Sequence, residues 1–129
     1  MKYLGIDYGQ KRVGLAISDD NGEMAFPLSV FQNTATLVED VLRTCLEYKI
    51  EKIVMGESLG LSGEKNDIYE ASMSFKEKLS EKTGLDVVLF PEFFTSAEAE
   101  RVQGKNNMLD ASSAAIILKH YLDTEKNKK

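Results

Sequence analysis

Lys2-Tyr-Leu-Gly-Ile-Asp-Tyr-Gly-Gln-Lys-Arg-Val-Gly-Leu-Ala-Ile-Ser-Asp19 reads as two β-strands joined by a short turn. Side chains alternate along a strand, so Leu4 and Ile6 share one face, while Tyr3, Gly5 and Asp7 share the other. The second strand repeats the pattern: Val13, Leu15 and Ile17 alternate with Gly14, Ala16 and Ser18. Gly9 supplies the turn, and Lys11 and Arg12 follow it. A carboxylate, Asp7, thus ends an apolar strand beside a turn that carries two cations. Burying a charge there is costly unless something binds it.

Outward from this hairpin, Asp19-Asp20-Asn21-Gly22 is a second turn, and residues 24–32 form a third strand. Pro27 assigns that strand to a sheet edge, because proline cannot donate to a ladder. Thr36-x-x-Glu39 has the spacing of a capping box. The helix behind it places Leu37, Val38, Val41, Leu42, Cys45 and Leu46 at core spacing. Ile50 to Gly56 is a buried strand rich in β-branched residues. A second helix covers 66–82, with Ile68, Ser72, Phe75 and Leu79 on one stripe and Gly84 past its end. Val87 to Phe90 is a fifth strand, ended by Pro91. Thr95-x-x-Glu98 opens a third helix, which Gly104-Lys-Asn-Asn107 breaks, and 109–123 form the last one. The order β-β-β-α-β-α-β-α-α defines an α/β fold with a five-stranded mixed sheet. Its first three strands are antiparallel, and strands one, four and five are parallel through right-handed crossovers.

The chain has 129 residues, a length that fits one domain, read here as residues 1–123 with a solvated tail at 124–129. No apolar run approaches the ~20 residues of a membrane span, and no secretion signal precedes the first strand. Cys45 is the only cysteine, which excludes an intrachain disulfide and a cysteine-built zinc site; core packing is its expected role. A cytoplasmic protein is expected. The net charge of −5 argues against a broad basic nucleic-acid groove, but a metal ion inverts the sign of a small acidic site.

Ligands of open α/β sheets bind at the carboxyl ends of the parallel strands. Asp7, Glu57 and Glu92 all fall at that edge, and Asp110 opens the last helix. Ala111, Ala114 and Ala115 are small enough to let this helix lie close to the sheet, bringing Asp110 toward Asp7. Clustered carboxylates repel one another unless a cation such as Mg²⁺ or Mn²⁺ lies among them. A cation held this way supports hydrolysis of a nucleic-acid backbone. Plainer readings stand beside these. Asp110 suits a helix cap, and Glu57 and Glu92 suit solvated loops. Lys11 and Arg12 suit an ordinary turn or a phosphate backbone. His120, in the last turn of the final helix, suits the helix dipole and is read as structural.

Gly5-Ile-Asp-Tyr-Gly-x-Lys-Arg-Val-Gly-x-Ala-x-Ser-Asp19, together with Leu109-Asp-Ala-Ser-Ser-Ala-Ala-Ile-Ile-Leu118, resembles the YqgF/RuvX family. Its members are assigned to Holliday junction resolution or to pre-16S rRNA maturation. The resemblance runs from Lys2 to Asp123 and implies a ribonuclease H-like fold. It also implies that Asp7, Glu92 and Asp110 are the catalytic, metal-holding acids, with Glu57 a further candidate. Leu61-Ser-Gly-Glu64 resembles the family's loop after the fourth strand. Thr95, Ser96 and Arg101 match the segment after the second acidic motif; with Lys105, Lys11 and Arg12 they are the expected nucleic-acid contacts. Two departures stand out. Pro91-Glu92-Phe93 replaces the family's Asp-Glu-Arg, and Gly56-Glu57-Ser58 replaces its Gly-Leu-Pro.

The resulting expectation is a Mg²⁺- or Mn²⁺-dependent nuclease acting on structured RNA or branched DNA, as a monomer or a homodimer, with no membrane partner. Two other functions compete. One is nucleic-acid binding without catalysis, consistent with Pro91 and Phe93. The other is a nucleotide-phosphate-binding domain, because the glycine hairpin also resembles that of the actin-like ATPases. Those ATPases need two such domains.

Overall fold

The computed structural model describes residues 1–57, 67–91 and 109–126, with the backbone alone at Glu57, Asp67, Pro91, Leu109 and Asp110. Strands β1 (Tyr3–Tyr8), β2 (Arg12–Ser18) and β3 (Ala25–Gln32) are followed by α1 (Leu37–Tyr48), β4 (Lys52–Glu57), α2 (Asp67–Thr83), β5 (Val87–Pro91) and α3 (Leu109–Lys126). The strands form one sheet in the order β3-β2-β1-β4-β5. β1–β2 and β2–β3 are antiparallel, and β1–β4 and β4–β5 are parallel. β3 is an edge strand, as Pro27 requires, and a register shift at Leu15/Ala16 absorbs one extra residue beside that proline. The helix expected from Thr95 and its break at Gly104 lie outside the described residues.

Alternation divides the sheet into two dissimilar faces. Leu4, Ile6, Val13, Leu15, Ile53 and Met55 point to the side covered by α1 and α2, where they meet Val41, Cys45, Phe75 and Leu79. Ala16 and Val54 point to the side covered by α3, against Ala114, Ala115, Ile117, Leu118 and Tyr121. The central strands are therefore buried on both faces, which explains their near-continuous apolar runs.

Local chemistry departs from the sequence pattern in several places. Thr36 does not form the expected capping box: at φ −95°, ψ 7° its side chain makes no cap bond. An N-cap needs extended backbone to aim its oxygen at the first turn; here the Thr36 hydroxyl donates to Asp40 Oδ2 at 3.3 Å instead. Leu46, expected in the core, is 70% exposed, and Thr44 takes the inward position. Burying Thr44 costs little because its hydroxyl donates to the Asp40 carbonyl at 3.0 Å. Ile50, expected in β4, is buried in the connection before it, where its N–H donates to the Cys45 carbonyl. α3 continues to Lys126, three residues past its expected end at 123, and Thr124, Glu125 and Lys126 are solvent-exposed helix. On the α2 stripe Ser72, Phe75 and Leu79 are buried as expected, and Ile68 is half-buried. Gly84 ends that helix at φ 71°, donating to the Ser80 carbonyl.

Candidate active site

Asp7 lies one residue before the end of β1 and is half-buried. Its paired neighbour on β2 is Gly14. On β4 the last pair is Ile6↔Met55, and Gly56 is the next residue of that strand. One step back, Gly5 pairs with Ala16 and Val54. This patch of missing or minimal side chains is what brings α3 down onto the sheet. A Cβ built on Gly5 would lie 2.8 Å from Leu118 Cβ and 3.0 Å from the Ala114 carbonyl oxygen. Those separations are below normal contact, so only glycine permits this approach.

The direction of α3 follows from its contacts. Tyr3, at the start of β1, meets Tyr121, with ring centroids 6.0 Å apart. Gly5, further along, meets Leu118 and Ala114. The helix therefore runs antiparallel to β1. One more turn, about 5.4 Å of rise, leads from Ala114 to position 110. Two more strand residues, about 6.6 Å, lead from Gly5 to Asp7. The first turn of α3 and the Asp7 end of β1 are thus at the same end of the sheet. The positive pole of the helix dipole is at that end too, which favours an ionised carboxylate there. His120 lies ten residues beyond Asp110 on α3, about 15 Å along the axis; because α3 continues to Lys126, it is not in the last turn, where it was expected.

The turn between β1 and β2 is held from outside. Asn33 Nδ2 donates to the Gly9 carbonyl at 2.8 Å, and the Asn33 N–H donates to the Lys11 carbonyl at 2.9 Å. A Cβ at Gly9 would collide with the Arg12 carbonyl. Lys11 and Arg12 are exposed on this pinned turn, beside Asp7. Asn33 was not legible as a site residue, because nothing local marks it. It reaches the turn only because Arg12 pairs with Gln32 across the hairpin.

The other expected residues fall less evenly. Glu57 is the last residue of β4 and pairs with Pro91. It continues the register of Ile53 and Met55, whereas Asp7 shares the register of Val54 and Gly56. Asp110 is the second residue of α3. Glu92, Phe93, Thr95, Ser96, Arg101, Lys105 and the loop Leu61–Glu64 lie outside the described residues. Among the described residues no three acids, histidines or cysteines gather around one point. Cys45 is buried, and desolvation pushes its thiol up to about 11. It stays protonated near neutral pH and is no nucleophile, as expected of a core cysteine.

Similarity to known proteins defines the class first. The fold is shared with the RuvC protein of T. thermophilus, solved in complex with a Holliday junction substrate: TM-score 0.67 at 15% identity, covering 98% of this chain and 97% of that one. This is a ribonuclease H-like α/β fold. Sequence relatives are closer. A protein of Desulforudis audaxviator named "Putative pre-16S rRNA nuclease" is 31% identical over 98% of this chain and 97% of its own length. One of the same name from a Sulfurihydrogenibium species is 35% identical over 95% and 90%. Residues 1–124 match the family model "RuvX: Holliday junction resolvase", and the chain belongs to that family. It is thereby a nuclease, an enzyme of phosphodiester hydrolysis. No described helix is long and apolar enough to cross a membrane.

Proposed function

We propose that this nuclease cleaves structured RNA in the maturation of precursor 16S rRNA, in the cytoplasm, with branched DNA as a second substrate class. The observation that carries the reading is the position of Asp7. It is half-buried at the carboxyl end of β1, where glycine flanks it and the first turn of α3 approaches. In this proposal Asp7, Glu92 and Asp110 are the catalytic acids and together hold Mg²⁺ or Mn²⁺. The donors fit such a cation, since all are hard carboxylate oxygens and no sulfur ligand is present. Glu57, at the end of β4, is a further candidate ligand in this proposal.

When bound, a divalent cation polarises the phosphate and makes its coordinated water acidic. The remaining work belongs to the chain. Asp7 fixes one side of the site through the rigid central strand. Lys11 and Arg12 bind backbone phosphates next to it and set the register of the strand to be cut. Thr95, Ser96, Arg101 and Lys105 extend that contact. With a net charge of −5, the chain repels nucleic acid away from these positions, so binding is local and a folded RNA suits it better than a long duplex. One acidic site per monomer serves a single cut in RNA; paired cuts in a DNA junction require a homodimer.

The test compares wild type with Asp7→Asn on precursor 16S rRNA and on a branched DNA, with Mg²⁺, with Mn²⁺ and with chelator. Expected are cleavage of the RNA with either metal, none with chelator, and a loss of at least ~10³-fold in Asp7→Asn at unchanged Tm. Binding without cleavage in the metal-loaded wild type would sink the catalytic reading and favour a binding protein, consistent with Pro91 and Phe93 at the family's Asp and Arg positions.

A further inference from the structure

On the opposite face of the sheet from α3, at the same end as Asp7, residues of α1 and α2 line a groove of about 380 Å³. Tyr8 forms one wall, with its ring centroid 5.1 Å from that of Phe75. Phe75 is buried, while Tyr8 is only half-buried and keeps part of its ring open to the groove. Ser74, Lys78 and Lys82 line the side of α2, and Asn33 and Glu39 line the other. Lys78 and Lys82 are four residues apart on one helix face, both exposed, and form no ion pair among the described residues.

We propose that this groove receives one unpaired nucleotide of the substrate strand as it leaves the acidic site; the inference rests on the nuclease reading. Several observations lead to a nucleotide. The volume suits a single small ligand. An aromatic ring backed by a second one offers the stacking surface used for splayed bases. The lysine pair offers phosphate contacts in a chain that is otherwise acidic. Glu39 disfavours a phosphate on its own side, so the backbone runs along α2 and the base points toward Tyr8 and α1. Continuity with the acidic site is covalent. Tyr8 follows Asp7 directly, and alternation sends the two side chains to opposite faces of the same strand end. The turn between the faces is the one that Asn33 pins, with Lys11 exposed on it. A strand held at Asp7 thus crosses a fixed, cationic rim into the groove.

The experiment measures binding and cleavage separately on the full chain. Fluorescence anisotropy with a short labelled single-stranded RNA, and with its duplex, is recorded in chelator so that no cleavage intervenes. Wild type is compared with Tyr8→Leu and with the double variant Lys78→Ala/Lys82→Ala, whose substitutions are on the surface and leave folding intact. Single-stranded RNA is expected to bind more tightly than duplex. Each variant should weaken the single strand by about tenfold. The lysine variant should also flatten the slope of log K against log salt by about 1.4, the value for two lost phosphate contacts on a single strand. A 5-iodouridine placed just beyond the cut should cross-link to Tyr8. Unchanged affinity, unchanged salt slope and a cross-link elsewhere would overturn the groove while leaving metal-dependent cleavage untouched. Cleavage absent in wild type, with groove variants still losing affinity, would instead overturn the nuclease reading alone. Displacement of the RNA by an apolar peptide without any lysine effect would assign the groove to a protein partner and reject the nucleotide.

Discussion

The two faces of the sheet are built to opposite rules. Toward α1 and α2 the strands present Leu, Ile, Val and Met, and the helices answer with Val41, Phe75 and Leu79. Toward α3 they present Gly5, Gly14, Ala16, Val54 and Gly56, and the helix answers with Ala111, Ala114 and Ala115 in its first two turns, and with Ile117, Leu118 and Tyr121 only further along. Large side chains bury more area, at roughly 25 cal/mol per Å², so the first face carries more of the stability. Small side chains bury less but let a helix axis approach, so the second face controls where the first turn of α3 lies. One face is therefore vulnerable to truncation and the other to enlargement.

Leu79→Ala is the sharpest probe of the first face. Leu79 is fully buried, so the change should cost about 2–5 kcal/mol in chemical denaturation. The activity of the molecules that remain folded should be near that of wild type. A large drop in their kcat would break the division between the faces. Gly5→Ala probes the second face. The added methyl meets Leu118 Cβ and the Ala114 carbonyl at 2.8 and 3.0 Å, so α3 must move. The stability cost should be smaller, about 1–3 kcal/mol, yet kcat should fall at least ~10-fold, because displacement of a reacting group by about 1 Å is that costly. If activity survives Gly5→Ala, the close approach of α3 is structural only.

Lys49→Gly should raise stability without touching either face. Lys49 is the one described non-glycine residue at positive φ, 57°, where it ends α1. Relieving a left-handed lysine is worth about 1 kcal/mol, or roughly 4 °C in Tm, with unchanged cleavage. The smallest effect is expected at Asp19. Its carboxyl is held below the ordinary range by the N–H groups of Glu23 and Met24, which donate to Oδ1 at 2.8 and 3.2 Å. A depressed folded pKa gives a contribution that is complete above the unfolded value of about 4 and is lost as pH falls through the lowered one. Asp19→Asn should therefore lower Tm slightly near neutrality, where the contribution is complete, and converge on wild type as pH falls below about 4, which flattens the acid limb of a Tm-against-pH profile. The carboxylate is at the solvent-exposed β2–β3 turn, where Lys119 Nζ of α3 donates to the Glu23 carbonyl at 3.0 Å. Any effect on cleavage would show that this far end of α3 also feeds the acidic end.

Much of this was legible before folding was considered. Leu4, Ile6, Val13 and Leu15 declared their face by period two, and Pro27 declared its edge, because both properties belong to a residue and its immediate neighbours. The N-terminal motif and the Leu109–Leu118 segment carried the family. Less legible was the inner stripe of α1: Leu46 and Thr44 exchanged places because threonine meets its own hydrogen-bonding demand inside the helix. Asn33 was silent because its partner carbonyls at Gly9 and Lys11 are reached only through hairpin register.

The order of residues alone thus determined the strands, their inward and outward faces and the kinship of the chain, since each is written in local periodicity and motif. Tertiary structure decided which helix covers which face, that glycine at position 5 admits α3 so near β1, and that Tyr8, Lys78 and Lys82 share a groove. These depend on groups far apart in the chain meeting at van der Waals distance, and only the folded packing sets such distances.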